Sequence, residues 1–198
     1  LSSSSAASDV YKRQDLTKTP VCDFGKKAED FKLKSINNEL ISLNDIRGEK
    51  ATLIMFICNH CPYVKAIIKD LIIDCKSLKK EGIASVAIMS NDTKNYPADS
   101  FKNMIKFAKD NKFDDINYLI DENQKTAKQY GAVCTPDFFG YNKNLSLQYR
   151  GRFRELKKLK PVKNHDSDLK ISMKMIAQTQ KGPHEQIPSM GCNIKWIN

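Results

Sequence analysis

The stretch Ala51-Thr-Leu-Ile-Met-Phe-Ile57, followed at once by Cys58-Asn59-His60-Cys61-Pro62, decides how the rest of the chain is read. The first part is a continuous run of strand length without a charge, which fits a central strand buried on both faces. Pro62 suits the first position of a helix. Behind it Val64, Ile67, Ile68, Leu71, Ile72, Cys75 and Leu78 recur at helical spacing, with Gly82 as the stop. Two cysteines at C-x-x-C spacing therefore stand where a strand hands over to a helix. The first turn of a helix carries N–H groups without intrahelical partners and about half a positive charge, so a thiolate there is stabilised. Its pKa falls from about 8.5, sometimes to about 3.5–7.5, which makes it a nucleophile at neutral pH. The second sulfur closes a disulfide locally, and His60 between them adds a ring that can be cationic near neutral pH. Cys58 and Cys61 are the expected catalytic pair. Cys58, ahead of the first turn, is expected to be the more exposed and more acidic of the two.

Other readings of the pair are weaker. C-x-x-C is half of many zinc sites, but structural zinc needs a second pair of ligands. No other Cys or His forms one, and His165 and His184 lie far apart, so no metal and no cofactor is expected. A pair of incidental core cysteines fits poorly, because Asn59 and His60 are poor core residues. Cys75, inside the apolar stripe, reads as a small buried hydrophobe.

Length and composition set the frame. A chain of 198 residues is expected to form one domain over residues 15–198. Residues 1–14 are low in complexity and read as a tail or a cloning or assembly scar. They are too polar for a signal peptide, and nothing approaches the 18 or so apolar residues of a membrane span. A cytoplasmic protein without membrane partners is the expectation, with an original targeting segment left open. The net charge of +10 raises nucleic acid as a partner. Between Arg150 and Lys181 there are ten Lys or Arg against three acids, yet along the whole chain lysine outnumbers arginine 28 to 5. Arginine is the residue favoured for bidentate phosphate recognition, so a solvated lysine surface, not a nucleic-acid site, is the expected meaning. The six cysteines do not have the spacing of a small disulfide scaffold.

Along the chain, alternating runs at Phe31–Ile36 and Glu39–Leu43 flank Asn37-Asn38 as a hairpin. Ile83 to Met89 reads as a second core strand, closed by Ser90-Asn91-Asp92. A helix is expected after Pro97, then a short strand at Tyr118–Ile120 and a short helix from Glu122 to Tyr130, ending at Gly131. Phe138–Tyr141 and Leu145–Tyr149 flank Asn142-Lys143-Asn144 as a second hairpin. A polar connection, 153–166, leads to a last amphipathic helix over Leu169–Ala177. Strands alternating with helices, then a hairpin and a helix, predict an α/β fold. Its mixed central sheet would be flanked by helices, with an N-terminal hairpin and an extra strand–helix insertion.

The run Tyr130-Gly131-Ala132-Val133-Cys134-Thr135-Pro136 resembles the segment that carries the cis-proline in thioredoxins. With Cys58-x-x-Cys61 and the element order it places the chain near the thioredoxin-like superfamily. Cys-Asn-His-Cys-Pro-Tyr-Val, Ser90-Asn91-Asp92 before Tyr96-Pro97, Cys134-Thr-Pro-Asp and the ending Gly191-Cys192-Asn-Ile-Lys-Trp196 are similar to a peroxiredoxin-like subgroup. That subgroup belongs to the alkyl hydroperoxide reductase and thiol-specific antioxidant branch. The likeness covers about residues 20–198. It implies a thioredoxin-like fold and a cis Thr135–Pro136 bond, with the Thr135 N–H and C=O open to an extended substrate beside Cys58. Asn59 and His60 are expected to line the same substrate, and Cys134 is a possible auxiliary thiol.

Departures from the pattern matter. Thr52 stands where thioredoxins have a buried Asp that assists proton transfer, and Cys58 stands where a peroxiredoxin has Thr, which puts Cys61 at the peroxidatic position. The leading expectation is a thiol–disulfide oxidoreductase in which Cys58 attacks and Cys61 resolves. The alternative is a thiol peroxidase with Cys61 peroxidatic and Cys58 resolving, for which Arg150 is the only arginine offered as a donor to the O–O bond. A non-catalytic binding protein on the same fold is the reading from another class. The expected partners are a protein or small-molecule disulfide or a peroxide, together with a thiol reductant. Cys192 is expected either as an additional resolving thiol or as a packed chain end, Cys22 as structural or incidental, and Trp196 as a terminal anchor.

Overall fold

A computed structural model describes residues 16–20 and 23–197; the expected tail at 1–14 and Cys22 lie outside the described residues. In chain order the first half holds β1 (Leu16–Lys18), β2 (Lys32–Ser35), β3 (Leu40–Ser42), α1 (Leu43–Ile46), β4 (Ala51–Phe56), α2 (Pro62–Lys79) and β5 (Ile83–Met89). A 3-10 turn at Pro97–Asp99 leads to α3 (Phe101–Asp110), β6 (Asn117–Ile120), α4 (Lys125–Tyr130) and β7 (Cys134–Thr135). The chain continues with β8 (Asp137–Asn142), β9 (Leu147–Tyr149), β10 (Leu156–Lys157), β11 (Lys160–Pro161), α5 (Asp168–Thr179) and β12 (Met190–Asn193).

Seven strands form the central sheet in the order β3-β2-β6-β5-β4-β8-β9. β4 runs parallel to β5, and β5 to β6, whereas β8 lies antiparallel to β4. All six residues of β4 are buried. Because successive strand side chains point to opposite faces, Leu53, Met55 and the following Ile57 enter one core while Ile54 and Phe56 enter the other. The first core is filled by the α2 stripe from Val64 to Leu78 and by Leu169, Met173 and Ile176 of α5. The second holds Phe31, Leu43, Tyr130 and Phe139. Burying a Leu, Ile or Phe side chain contributes about 1.5–3 kcal/mol, so this double-sided strand fixes the height at which Cys58 leaves the sheet. Cys75 is buried within the α2 stripe, and burial pushes its thiol up to about 12.

The expected elements are present with shifted ends: Leu43 opens α1 instead of closing a strand, the helix expected from Glu122 starts at Lys125, and Leu145 lies outside β9. The polar connection 153–166 contains the small antiparallel pair β10–β11. The ends of the chain also meet: β1, β12 and β7 form a second, three-stranded antiparallel sheet. β12 is held on both sides. Before it, Ser189 Oγ donates to Pro136 O at 2.8 Å, and Thr19 N donates to Ser189 O at 2.9 Å. After it, Lys195 N donates to Asn91 Oδ1 at 2.9 Å, and Gln124 Nε2 donates to Lys195 O at 2.8 Å. The basic run is largely tied to local partners. Arg152 pairs with Asp168 at 2.6 Å, Lys163 with Asp70 at 2.8 Å and Lys174 with Glu81 at 3.0 Å. Among the described residues no helix is long and apolar enough to cross a membrane.

Candidate active site

The helix that follows the C-x-x-C motif begins at Pro62, and its N-cap residue is Cys61. The sequence-based expectation gave the acidic position to Cys58, and the placement of the cap reverses it. Cys61 Sγ is 3.1 Å from the Thr135 carbonyl oxygen and 3.2 Å from Cys192 Sγ. Burial works against its ionisation. The Cys192 and Cys58 thiols and the backbone N–H groups of Val64 and Cys192 outweigh that burial, holding Cys61 below the ordinary thiol range, although the sulfur closes no formal cap hydrogen bond. Cys58 is pushed the other way, first by burial, then by its contact with Cys61 and by the Asp99 carboxylate. Cys192 is also raised, chiefly by the same Cys61 sulfur and then by burial. Of these three thiols, Cys61 is the one disposed to carry the negative charge.

Cys58 is as fully buried as its partner, the two showing 1% and 0% of their surface. Its sulfur is 3.4 Å from Thr135 Oγ1 and 3.9 Å from His60 Nδ1. The same ring nitrogen stands 2.6 Å from Asp99 Oδ2. Asp99, fully buried, also takes the N–H groups of Asn59 and His60 on Oδ1 at 2.8 and 3.3 Å, and Asn91 Nδ2 on Oδ2 at 2.8 Å. Sequence reading did not single out this carboxylate. It comes from the turn after Tyr96-Pro97, about forty residues beyond the motif, and only the acid at the end of a Pro-initiated turn hinted at it. Thr52, which replaces the buried Asp of thioredoxins, meanwhile serves the backbone by accepting from Gly48 N at 2.9 Å. A buried carboxylate beside the dithiol is thus supplied by another segment. Cys58 Sγ, His60 Nδ1 and an Asp99 oxygen lie within 4.8 Å of one another, a spacing a metal ion could bridge. The 2.6 Å His60–Asp99 contact and the donors already on Asp99 satisfy that cluster without one.

Asn59 and His60, expected together at the substrate, differ. Asn59 is buried, donating to Ala98 O at 3.2 Å and accepting from Tyr118 OH at 2.9 Å, so its amide is engaged internally. His60 is part-exposed and stacks on Tyr96 with ring planes 8° apart and centroids at 6.1 Å. Cys134 is buried with its sulfur 3.5 Å from Pro136 O, and its thiol is raised by burial and then by Asp137. The third sulfur within hydrogen-bond distance of the dithiol is Cys192.

The Thr135–Pro136 bond is cis. The backbone edge expected to receive an extended substrate, however, is already occupied. Thr135 is the ladder partner of Cys192, and a Cβ built on Gly191 would fall 2.0 Å from the Thr135 carbonyl oxygen. The tail strand lies directly against that carbonyl. Outside it, Tyr63, Ile67, Pro136, Phe153, Leu156 and Met190 line an apolar hollow of about 280 Å³. Arg150, the arginine offered for the peroxidase reading, is committed elsewhere: it donates to Gly131 O at 2.7 Å and Asp137 Oδ2 at 3.2 Å and covers the Phe139 ring.

The model of the AhpC/TSA family matches residues 24–154. The chain belongs to the AhpC/TSA family. The family is one of thiol-based redox enzymes, and the fold is thioredoxin-like. An uncharacterized conserved protein from Geobacillus kaustophilus is 34% identical, with a TM-score of 0.87 over 92% of this chain and 97% of that one. A hypothetical protein from Sinorhizobium meliloti 1021 is 33% identical, with a TM-score of 0.84 over 91% and 98%. The thioredoxin domain of a thiol-disulfide oxidoreductase from Bacteroides vulgatus shares the fold at 15% identity, with a TM-score of 0.55 over 65% and 88%. No curated protein matches the chain.

Proposed function

We propose that this AhpC/TSA-family chain is a thiol–disulfide oxidoreductase working through Cys58 and Cys61, with Cys61 as the attacking thiolate. The observation that carries the reading is the N-cap position of Cys61, with the backbone N–H groups of Val64 and Cys192 directed at its sulfur and a second thiol that stays protonated beside it. Cys61 thiolate attacks one sulfur of a substrate disulfide and expels the other as a thiolate. Cys58 then attacks Cys61 in the mixed disulfide, releasing the second substrate thiol and leaving Cys58–Cys61 oxidised. Cys58 must lose its proton for that step: His60 Nδ1, 3.9 Å from the sulfur, takes it as Nδ1 passes its own proton to Asp99 Oδ2 at 2.6 Å. His60 and Tyr96 form the part-exposed rim. A thiol reductant resets the pair.

Peroxide is the second reading, favoured by one observation: both thiols are buried, and a small oxidant needs less opening than a protein. Against it, Arg150 is engaged with Gly131, Asp137 and the Phe139 ring and so does not serve the dithiol as a donor to an O–O bond. The test mixes reduced protein with insulin and, separately, with hydrogen peroxide, using Cys58→Ser and Cys61→Ser alongside the unaltered chain. Insulin reduction should exceed peroxide consumption, Cys61→Ser should be inactive, and Cys58→Ser combined with Cys192→Ser, which removes the other thiol beside Cys61, should accumulate a mixed disulfide on Cys61. Disulfide exchange that survives in Cys61→Ser would remove the assignment.

A further inference from the structure

We infer that Cys192 is a third redox thiol of this site, able to take Cys61 from Cys58 and form a Cys61–Cys192 disulfide. The inference rests on the proposed role of Cys61, and it goes further by adding a residue from the far end of the chain. The two sulfurs are 3.2 Å apart, and a disulfide needs about 2.05 Å, so they must close by only about 1.2 Å. Cys192 does not reach this place on a loose tail. β12 pairs with both β1 and β7, Ser189 and Lys195 anchor its two ends, and Cys192 is the direct ladder partner of Thr135. Thr135 in turn touches both dithiol sulfurs, through its carbonyl to Cys61 and its hydroxyl to Cys58. Cys61 is therefore the middle sulfur, with a neighbour on the helix side and another on the tail strand.

The step balances without any further oxidant. Starting from the Cys58–Cys61 disulfide, the Cys192 sulfur attacks Cys61. The Cys61–Cys192 bond forms as the Cys58–Cys61 bond breaks, and Cys58 leaves with the electron pair and takes up the proton that Cys192 gives up. One oxidising equivalent has moved from the helix-side pair to the tail strand, by ordinary thiol–disulfide exchange. In the product Cys58 is again a thiol, while β12 is covalently fixed over the Thr135 carbonyl. The ladder that occupies the substrate edge is then locked in the oxidised protein and held by hydrogen bonds alone in the reduced one.

Peptide mapping tests this on the full chain. Trypsin places Cys58 and Cys61 together in the peptide 51–65 and Cys192 in the peptide 182–195. After oxidation with one equivalent of diamide, acid quench and alkylation, the unaltered chain should yield a 51–65/182–195 cross-link with Cys58 alkylated, beside the internally looped 51–65. Cys58→Ser should give the cross-link as its main product, with loss of the uncross-linked 182–195 peptide. Cys192→Ser should give only the looped form. The inference is overturned if oxidised Cys58→Ser leaves Cys61 and Cys192 both alkylated, or if Cys61 pairs elsewhere. If Cys192→Ser fails to form the loop, the Cys58–Cys61 reading itself is what has failed, whereas a cross-link in Cys58→Ser would still stand.

Discussion

The two sheets of this molecule meet at Thr135-Pro136 and differ in how they are specified. The seven-stranded sheet is written in local signals: β4 and β5 are unbroken uncharged runs, and the β2–β3 hairpin turns on Asn37-Asn38. The three-stranded sheet is made of pieces two to four residues long from three distant parts of the chain. The first sheet sets where the dithiol stands, and the second sets what can reach it. Chemistry and access are thus encoded at different ranges, the one in neighbouring residues and the other in contacts spanning 170 positions.

The largest expected effect is on the side of chemistry. Cys61→Ser removes the sulfur that contacts both other thiols, so disulfide exchange should drop to the uncatalysed background while the fold persists. Insulin turbidity checks the activity and circular dichroism the fold. Cys58→Ser in a Cys192→Ser background should instead stop the reaction half-way, and that difference separates the nucleophile from the thiol that resolves.

Next comes Asp99→Asn. The amide keeps the shape but turns an N–H₂ toward donors that now face the carboxylate. Hydrogen bonds to charged groups contribute about 1.5–3 kcal/mol each, and loss of a positioned proton acceptor typically costs 10²-fold or more, on the order of 10²–10⁴. In a Cys192→Ser background exchange should slow by about 100-fold at the resolving step, with mixed disulfide accumulating on Cys61. The melting temperature should fall as well. Normal turnover in Asp99→Asn would leave Cys58 deprotonation without its named base.

What could be read beforehand follows the same division. The α2 stripe, the dithiol at its start and the Gly131-to-Pro136 segment are short-range patterns, and they locate the site. Pro62 also marks the first helical residue, which makes Cys61 and not Cys58 the cap; the acidic role was given to Cys58 against that signal. Two features were beyond that reach. Asp99 lies in a turn without any apolar period. β12, Met-Gly-Cys-Asn, has no strand pattern and becomes a strand because β1 and β7 provide partners and Asn91, Gln124 and Ser189 hold its ends. The resemblance had flagged Ser90-Asn91-Asp92 and Gly191-Cys192 as separate motifs. Asn91 joins them, with one side-chain end on Asp99 and the other on Lys195 N.

Access is tested most directly at Gly191. An added methyl would overlap the Thr135 carbonyl, a backbone atom with little freedom to yield. Overpacking of this kind costs about 1–3 kcal/mol. β12 should separate from β7 in Gly191→Ala, and alkylation of Cys58 and Cys61 by iodoacetamide should accelerate while β4 and α2 keep their hydrogen-exchange protection. Unchanged alkylation rates would mean that the tail strand does not control the site.

The smallest effect at the thiols, and the one that probes the joint between the sheets, belongs to Asp137. This residue opens β8 directly after Pro136. Its Oδ2 accepts from Val133 N at 3.1 Å and Arg150 Nη2 at 3.2 Å, while its buried Oδ1 lacks a hydrogen-bond partner among the described residues. Burial, only partly offset by Arg150, raises its pKa to about 6. In the unfolded chain an aspartate titrates near 3.9, so between about pH 4 and 6 the folded protein binds a proton that the unfolded chain has released. The contribution to stability is therefore fully present below pH 4 and is lost as the pH rises through 6, by at most about 3 kcal/mol. Asp137→Asn removes the titration. The melting temperature of the unaltered chain relative to that of Asp137→Asn should decline from pH 4 to pH 7, with disulfide exchange at a fixed pH little changed. A difference that stays flat across this range would show that Arg150 keeps the carboxylate ionised throughout, making the joint a permanent ion pair that pH does not loosen.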